Sequence, residues 1–217
     1  MLVKDYMTRH PLMAEPDMTI VEAQRYMGEN NIRHLPVVGD GKRLLGLVTR
    51  QSLLVDPGRL GSLNVWEITR YLTGLTVKEV MIKARDVVTV SEDATVEEAA
   101  RIMIEKKVGG LPVVKEGVVI GIITETDLLA QLTNLLGWSV RGMRVTVRVP
   151  DKAGEFAKVT SAIASQGWGI YAAGGVPAPK HPGYWDAVFK VRDVPRDDLV
   201  AVLEKIEGQE IVDVREV

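Results

Sequence analysis

No cysteine occurs anywhere in the 217-residue chain. That excludes disulfide stapling and thiolate chemistry, although it does not by itself fix a compartment. An excess of one charge is missing too: 27 Lys and Arg stand against 29 Asp and Glu, spread along the whole length, for a net charge of −2. A protein built to grip nucleic acid carries a basic domain or stripe, so nucleic acid is not an expected partner. No window approaches the roughly 18 apolar residues of a membrane span. The first residues, MLVKDYMTRHPLM, put charges and a proline where a signal peptide needs an unbroken apolar stretch. The expectation is a soluble, cytoplasmic protein with no membrane partner. Catalytic signatures are also missing: there is no Gly-x-Ser-x-Gly elbow, Walker loop or His-Glu-x-x-His. Gly167-Trp-Gly169 with Ala172 imitates part of a dinucleotide fingerprint, but it follows a helical pattern instead of a strand. His10, His34 and His181 are scattered without an i+4 or cysteine partner, which argues against a metal site. A non-catalytic protein with no obligatory cofactor follows. Apolar residues at 46% and charged residues at 26% are enough to build a real core.

The first two thirds of the chain are written twice. MTIVEAQRYM (18–27) matches ATVEEAARIM (94–103), NNIRHLPVV (30–38) matches KKVGGLPVV (106–114), and GLVTRQSLL (46–54) matches GIITETDLL (121–129). The offset is 76 residues for two blocks and 75 for the third, the change falling in the turn where GDGKRLL faces KEGVVI. Thr19 with Glu22 and Thr95 with Glu98 fit the capping box that opens a helix. Behind them Ile20, Ala23 and Met27, and Val96, Ala99, Ala100 and Met103, trace one apolar helical face. Leu-Pro-Val-Val, a glycine-bearing turn and Gly-Leu-Val-Thr or Gly-Ile-Ile-Thr read as two hairpin strands, with a short amphipathic helix after each. The unit is β-α-β-β-α, roughly 55 residues long, too short to bury enough surface alone. Two copies packed about a pseudo-twofold axis solve that problem. The expected boundaries are 1–56 and 76–137, joined by a loop and helix over 57–75 with Val65, Trp66, Ile68, Thr69 and Leu72 as an apolar stripe.

Residues 144–217 follow another plan. RVTVRV (144–149) alternates as a strand, then comes a helix with Phe156, Val159 and Ile163 on one face and Gly167 as its stop. WGIYAAGGV and YWDAVFKVR read as strands split by PAPKHPG. A second helix turns Leu199, Val202, Leu203 and Ile206 inward, and EIVDVREV closes as a strand. The order β-α-β-β-α-β is a ferredoxin-like split motif, with a boundary near 136–143. The whole is an α/β (α+β) protein.

These motifs carry a resemblance. The repeated h-x-x-LPVV … G-h-h-T-x-x-D/S pattern resembles a tandem pair of CBS domains, and the C-terminal segment, with VPDKAGEFAKVTSAI after a strand, resembles an ACT domain. The order, with SLNVWEITRYL between the repeats, is similar to the acetoin-utilisation regulators (AcuB-like proteins). The resemblance implies adenosine nucleotides (AMP, ADP, ATP or S-adenosylmethionine) bound as regulatory ligands in clefts between the repeats. In the second repeat it assigns Asp127 to the ribose hydroxyls and Thr124 to phosphate or ribose. Such a carboxylate can accept from both hydroxyls of a cis-diol, and a helix N-terminus favours anions. Val87, and Gly109, Gly110, Leu111 and Pro112, would sandwich the adenine. The first repeat keeps Thr49 but puts Ser52 where the acid belongs. A neutral hydroxyl bond nets about 0.5–1.5 kcal/mol against about 1.5–3 for a charged one, so one competent site per chain is expected, around Asp127. Arg33, His34 and Arg50 border the clefts as candidate phosphate contacts.

For the ACT-like part the resemblance implies side-by-side pairing and a small effector, such as an amino acid, at the loop of Asp151, Ala153 and Gly154. The favoured reading is a homodimeric sensor acting on a further protein. The alternatives are a structural dimerisation adaptor with empty clefts and a small enzyme acting on a bound nucleotide. Asp127 has a plainer explanation as well, as an acid stabilised by its helix dipole.

Overall fold

A computed structural model describes residues 1–54, 64, 66, 67 and 74–217. The chain falls into two compact units, Met1–Leu128 and Leu129–Val217. The stripe expected between the repeats lies outside the described residues apart from Trp66, which is exposed.

In the first unit the first repeat supplies α1 (Val3–Tyr6), β1 (Thr8–Arg9), α2 (Ile20–Glu29), β2 (His34–Val38) and β3 (Leu44–Thr49). The second supplies α3 (Val77–Val80), β4 (Ile82–Lys83), α4 (Val96–Lys106), β5 (Gly110–Lys115), β6 (Val118–Thr124) and α5 (Glu125–Leu135). The capping box at Thr19 forms in both directions, Glu22 N–H to Thr19 Oγ1 at 3.2 Å and Thr19 N–H to Glu22 Oε2 at 3.0 Å. The Thr19 N–H and, second, the Thr19 hydroxyl, both donating to Oε2, hold the Glu22 carboxyl below its ordinary range. At α4 the Thr95 hydroxyl accepts from Glu98 N–H at 3.0 Å. Replacing Thr19 with alanine leaves that helix-end donor without its protein partner and should cost about 1 kcal/mol, read as a lower urea midpoint at unchanged slope. An unchanged midpoint would show the cap to be redundant.

The faces read from the sequence are the buried ones: Ile20, Ala23 and Met27 on α2, and Val96, Ala99 and Met103 on α4, are at most 6% exposed. What the repeat pattern does not announce is the pairing. β1 of the first repeat pairs with β6 of the second (Thr8 with Ile122, Arg9 with Gly121), and β4 of the second pairs with β3 of the first (Gly46 with Lys83, Leu47 with Ile82). The two three-stranded sheets therefore run β1-β6-β5 and β2-β3-β4. The cores follow the same exchange. Val77 packs with Ile20, Leu35 and Val48, whereas Val3 and Met7 pack with Leu111, Val113 and Ile123. Each repeat thus lends its leading segment to its twin, which adds to the apolar surface holding the pair together.

Both hairpins carry a register shift at the same place, after Val37 and after Val113. Their turns need left-handed residues, Gly41 and Lys42 in one and Glu116 and Gly117 in the other. The latter pair forms a two-residue loop whose positive φ values match strand twist. After β6 the expected helix α5 forms. After β3, residues 50–53 form a hydrogen-bonded turn, and the chain beyond Leu54 lies outside the described residues. The division into compact units falls inside α5. Leu128 is the last residue of α5 to pack on the core, while Leu129, Leu132 and Leu135 are about half or more exposed.

The second unit is one antiparallel sheet with two helices: β7 (Met143–Pro150), α6 (Glu155–Ser165), β8 (Ile170–Pro177), β9 (Tyr184–Val191), α7 (Arg196–Leu203) and β10 (Glu210–Glu216). The strand order is β10-β7-β9-β8, that of a ferredoxin-like split motif. Val145, Val147, Phe189, Val159, Ile163, Leu199 and Leu203 form its core. Phe156, expected inward, is 39% exposed and turns one face to Phe189 at 4.9 Å between centroids. Across the sheet Arg148 of β7 grips Asp186 of β9 with two bonds, 2.9 and 3.2 Å.

Candidate functional site

The junction of β6 and α5 sets up the main site. Thr124 ends the strand and Asp127 lies three residues on, in the first turn of the helix. Asp127 Oδ2 accepts from both the Thr124 N–H and the Thr124 hydroxyl, each at 2.7 Å. This is the reach-back half of a capping box, and it fixes the carboxylate rotamer. The other oxygen, Oδ1, has no protein partner among the described residues. Because the Thr124 hydroxyl spends its proton on Asp127, it faces a ligand as an acceptor, which suits a sugar hydroxyl better than a phosphate.

Asp127 opens onto a cavity of about 350 Å³, lined also by Thr124, Thr126 and Ile122 of the second repeat and by Thr8, Pro11, Leu12, Asn31, Ile32, Arg33 and His34 of the first. Such a volume is within the range of small-molecule sites. Exchange of β1 brings Thr8, Pro11 and Leu12 there. The two repeats meet at its lining, where the Arg33 guanidinium donates to Thr126 Oγ1 at 3.3 Å. His34 is held against Gly109 and Gly110: a Cβ on Gly110 would lie 2.9 Å from the imidazole Nδ1. Burial lowers the His34 pKa, the neighbouring Arg33 lowers it further, and Glu125 opposes both.

The structure thus brings together Arg33, His34, Thr124 and Asp127. It does not bring Val87 or 109–112 to this cavity. Leu111 is buried in the core, and buried Pro112 gives its carbonyl to Val90 N–H. Gly109 and Gly110 contact His34 from behind, and Val87 follows β4, which belongs to the first repeat's sheet. The physical reason is the exchange: the Asp127 cavity combines the strand-to-helix turn of the second repeat with the leading segment and β2 entrance of the first. Thr8, Pro11, Leu12, Asn31, Ile32, Ile122 and Thr126 were not anticipated. One signal pointed toward the segment that carries the first of them. KDYMTR (4–9) and KEVMIK (78–83) form a further repeated block at an offset of 74.

In the first repeat Ser52 takes the place of Asp127 and copies its capping role. Its hydroxyl accepts from Thr49 N–H at 2.9 Å and lies 3.0 Å from the Thr49 carbonyl, while Ser52 N–H bonds Thr49 Oγ1 at 3.1 Å. Donor and acceptor are both engaged inside the turn, and no charge is left for a ligand. Arg50 is exposed on that turn, away from the Asp127 cavity.

The second unit has its own cavity, about 180 Å³, between the β7–α6 loop and the sheet. Pro150, Asp151, Lys152, Glu155, Phe156 and Trp185 line it, whereas Ala153 and Gly154 do not. Gly154 has φ +89° and turns the chain into α6, a conformation that glycine adopts without strain. Glu155 is buried there, its carboxyl lowered by bonds from Lys158 and Gln209.

A family model described as the CBS domain matches residues 3–56 and 77–134, more than half of the chain. The chain belongs to the CBS-domain family. Its CBS pair is similar to an acetoin utilization protein (AcuB) from Vibrio cholerae, with 34% identity and a TM-score of 0.54 over 64% of this chain and 95% of that one. It is also similar to CBSX2 in complex with AMP, at 26% identity and a TM-score of 0.52 over 62% and 97%. A third likeness is to the CBS domain pair of protein MJ0100 bound to 5′-methylthioadenosine and S-adenosyl-L-methionine, at 27% identity and a TM-score of 0.50 over 62% and 97%. The chain spans less than half the length of curated relatives, enzymes among them, that share 32–36% identity with it over 126–131 residues. No helix among the described residues is long and apolar enough to cross a membrane.

Proposed function

We propose that this protein is a non-catalytic sensor that binds an adenosine nucleotide, one per chain, in the cavity beside Asp127. The observation that carries the reading is the Asp127 carboxylate, held by Thr124 through one oxygen, with the other unpartnered among the described residues, on a residue that lines a cavity between two CBS repeats. That oxygen is placed to accept from a ribose cis-diol, and adenosine ligands occupy related CBS pairs. Occupancy would stabilise the start of α5, whose residues run from one unit into the other, so that ligand in the first unit biases the second. Such coupling requires only a difference in ligand affinity between two states.

The second unit fits an ACT-type effector domain by its strand order and by the loop at Asp151 and Gly154, and its 180 Å³ cavity would suit an amino-acid-sized molecule. In this reading the protein works in the cytoplasm as a homodimer on a separate regulated protein, and the likeness to AcuB makes acetoin use the process to test first. The first repeat's cleft favours the adaptor reading for itself alone, because Ser52 is satisfied within its own turn. Calorimetry of the full chain with AMP, ADP, ATP and S-adenosylmethionine tests the sensor. One binding event per chain for at least one of them is expected. No heat with any of the four rejects it in favour of the adaptor.

A further inference from the structure

We propose that an open groove on the first repeat, between the segment Met13–Met18 and α2, is a docking site for a lysine- or arginine-bearing amphipathic helix of another protein. The groove shares no lining residue with the Asp127 cavity, so this inference goes beyond the sensor reading and does not depend on it.

The groove measures about 530 Å³. Met13, Met18 and Tyr26 line it as half-buried side chains, and the acids Glu15, Asp17 and Glu22 join them from exposed positions. Thr19 engages Glu22 in the capping box, but the carboxylates of Glu15 and Asp17 have no partner among the described residues. Arg25 is the one cation on the lining, and it stands 3.9 Å from Glu29 in an exposed pair. The second repeat serves as an internal control. At the offset of 76 residues Asp17 corresponds to Asp93, Met13 to Thr89 and Met18 to Ala94. There Lys4 binds Asp93 at 2.8 Å and Lys115 binds the adjacent Glu92 at 2.6 Å. Lys115 has Gly39 as its counterpart in the first repeat. One fold thus comes with two surfaces: small residues and neutralised acids in one copy, methionines and open acids in the other.

The sign of the charge selects the occupant. Phosphate-bearing molecules, nucleic acid and anionic lipid are repelled by the open acids. A second copy laid face to face would set acid against acid. A metal ion is not served, because no three His, Asp or Glu side chains among the described residues converge on one position. A small molecule would stay largely in water on so open a surface, whereas ligand sites bury most of their ligand. An amphipathic helix matches both parts of the groove. Its apolar side chains would rest on Met13, Met18 and Tyr26, where flexible thioethers adapt to shape. Its cations would meet Glu15 and Asp17, which favours rapid and selective encounter.

The test is fluorescence anisotropy on the full chain with a labelled peptide of leucine and lysine at amphipathic spacing, about 14 residues or roughly four helical turns long. Two control peptides replace every lysine with glutamate or every leucine with serine. Wild type should bind the first peptide, less tightly as salt rises, and hold both controls at least about tenfold more weakly. Glu15→Lys combined with Asp17→Lys should weaken binding by about 5- to 50-fold, since two exposed attractions become repulsions. Glu97→Lys combined with Glu105→Lys changes net charge equally at exposed acids of α4 and should leave affinity within about twofold. Met13→Ala should weaken binding about threefold, and Met13→Leu should restore it. Thermal unfolding of every variant separates lost binding from lost folding. No binding of the leucine–lysine peptide at about 1 mM, equal binding of the serine control, or an equal loss in the two charge-reversed variants overturns the proposal. Each of those results leaves the sensor reading intact, because nucleotide calorimetry reports on another cavity.

Discussion

Replacing Asp127 with alanine is expected to weaken adenosine-nucleotide binding by about 10- to 150-fold. The range is the loss of one charge-assisted interaction, about 1.5–3 kcal/mol, converted at about 1.4 kcal/mol per tenfold. Asp127 also accepts the Thr124 N–H, so the alanine variant loses part of a helix cap, worth about 1 kcal/mol. Asparagine separates the two effects. It can still accept from the Thr124 backbone and should keep the thermal stability, while lacking the charge that favours a cis-diol. If Asp127→Asn binds like wild type, the carboxylate is a cap and the plainer explanation of Asp127 stands. Calorimetry and thermal unfolding on the same samples decide between them.

A larger effect on stability is expected from a glycine that touches no ligand. A Cβ on Gly46 would lie 2.5 Å from the carbonyl oxygen of Ile82 and 2.5 Å from the Met81 sulfur. The sulfur can swing aside, but the carbonyl belongs to β4, the strand that the second repeat lends to the first. Gly46→Val should therefore cost about 3 kcal/mol, the upper part of the usual overpacking range, by prising β4 from β3. Gly121 meets Met7 and Thr8 in the same way on the other side of the exchange. Gly28 makes the control: it sits in α2, and a Cβ added there would meet nothing within 4 Å. Gly28→Ala should stabilise by about 0.5–1 kcal/mol. Urea midpoints shifted in opposite directions for the two variants are the expected result. A mild Gly46→Val would mean that the exchanged strand contributes little.

The two turns that end β3 and β6 close alike but differ in charge. Thr49–Ser52 and Thr124–Asp127 close their turns in the same way, through a side chain at i+3 accepting from the threonine N–H. Either residue therefore closes its turn, and the two differ in charge. The first repeat could lose its acid without losing its hairpin.

The sequence by itself determined the duplication, the helix faces and the position of the one acid left over in a turn. All are local or periodic: Thr19 and Glu22 meet within one helical turn, Ile20, Ala23 and Met27 recur at helical spacing, and Thr124 reaches Asp127 three residues away. It also determined the order of elements in the second unit, because strand alternation and helix stops need no distant partner. Which elements wall a cleft was decided only by tertiary structure. Val87 and 109–112 follow the motif of the second repeat, and a self-contained repeat would put them beside Asp127. Hydrogen bonding to β6 draws Thr8 and Arg9 across instead, and with them Pro11 and Leu12. His34 was a candidate contact by the family resemblance, but its packing against Gly109 and Gly110 of the other repeat is set only by the fold. Pairing between segments so distant in the chain leaves only a faint trace in the sequence, the short repeated block KDYMTR and KEVMIK. That is why the turn at Thr124 and Asp127 was legible in the sequence while the residues packed around it were not.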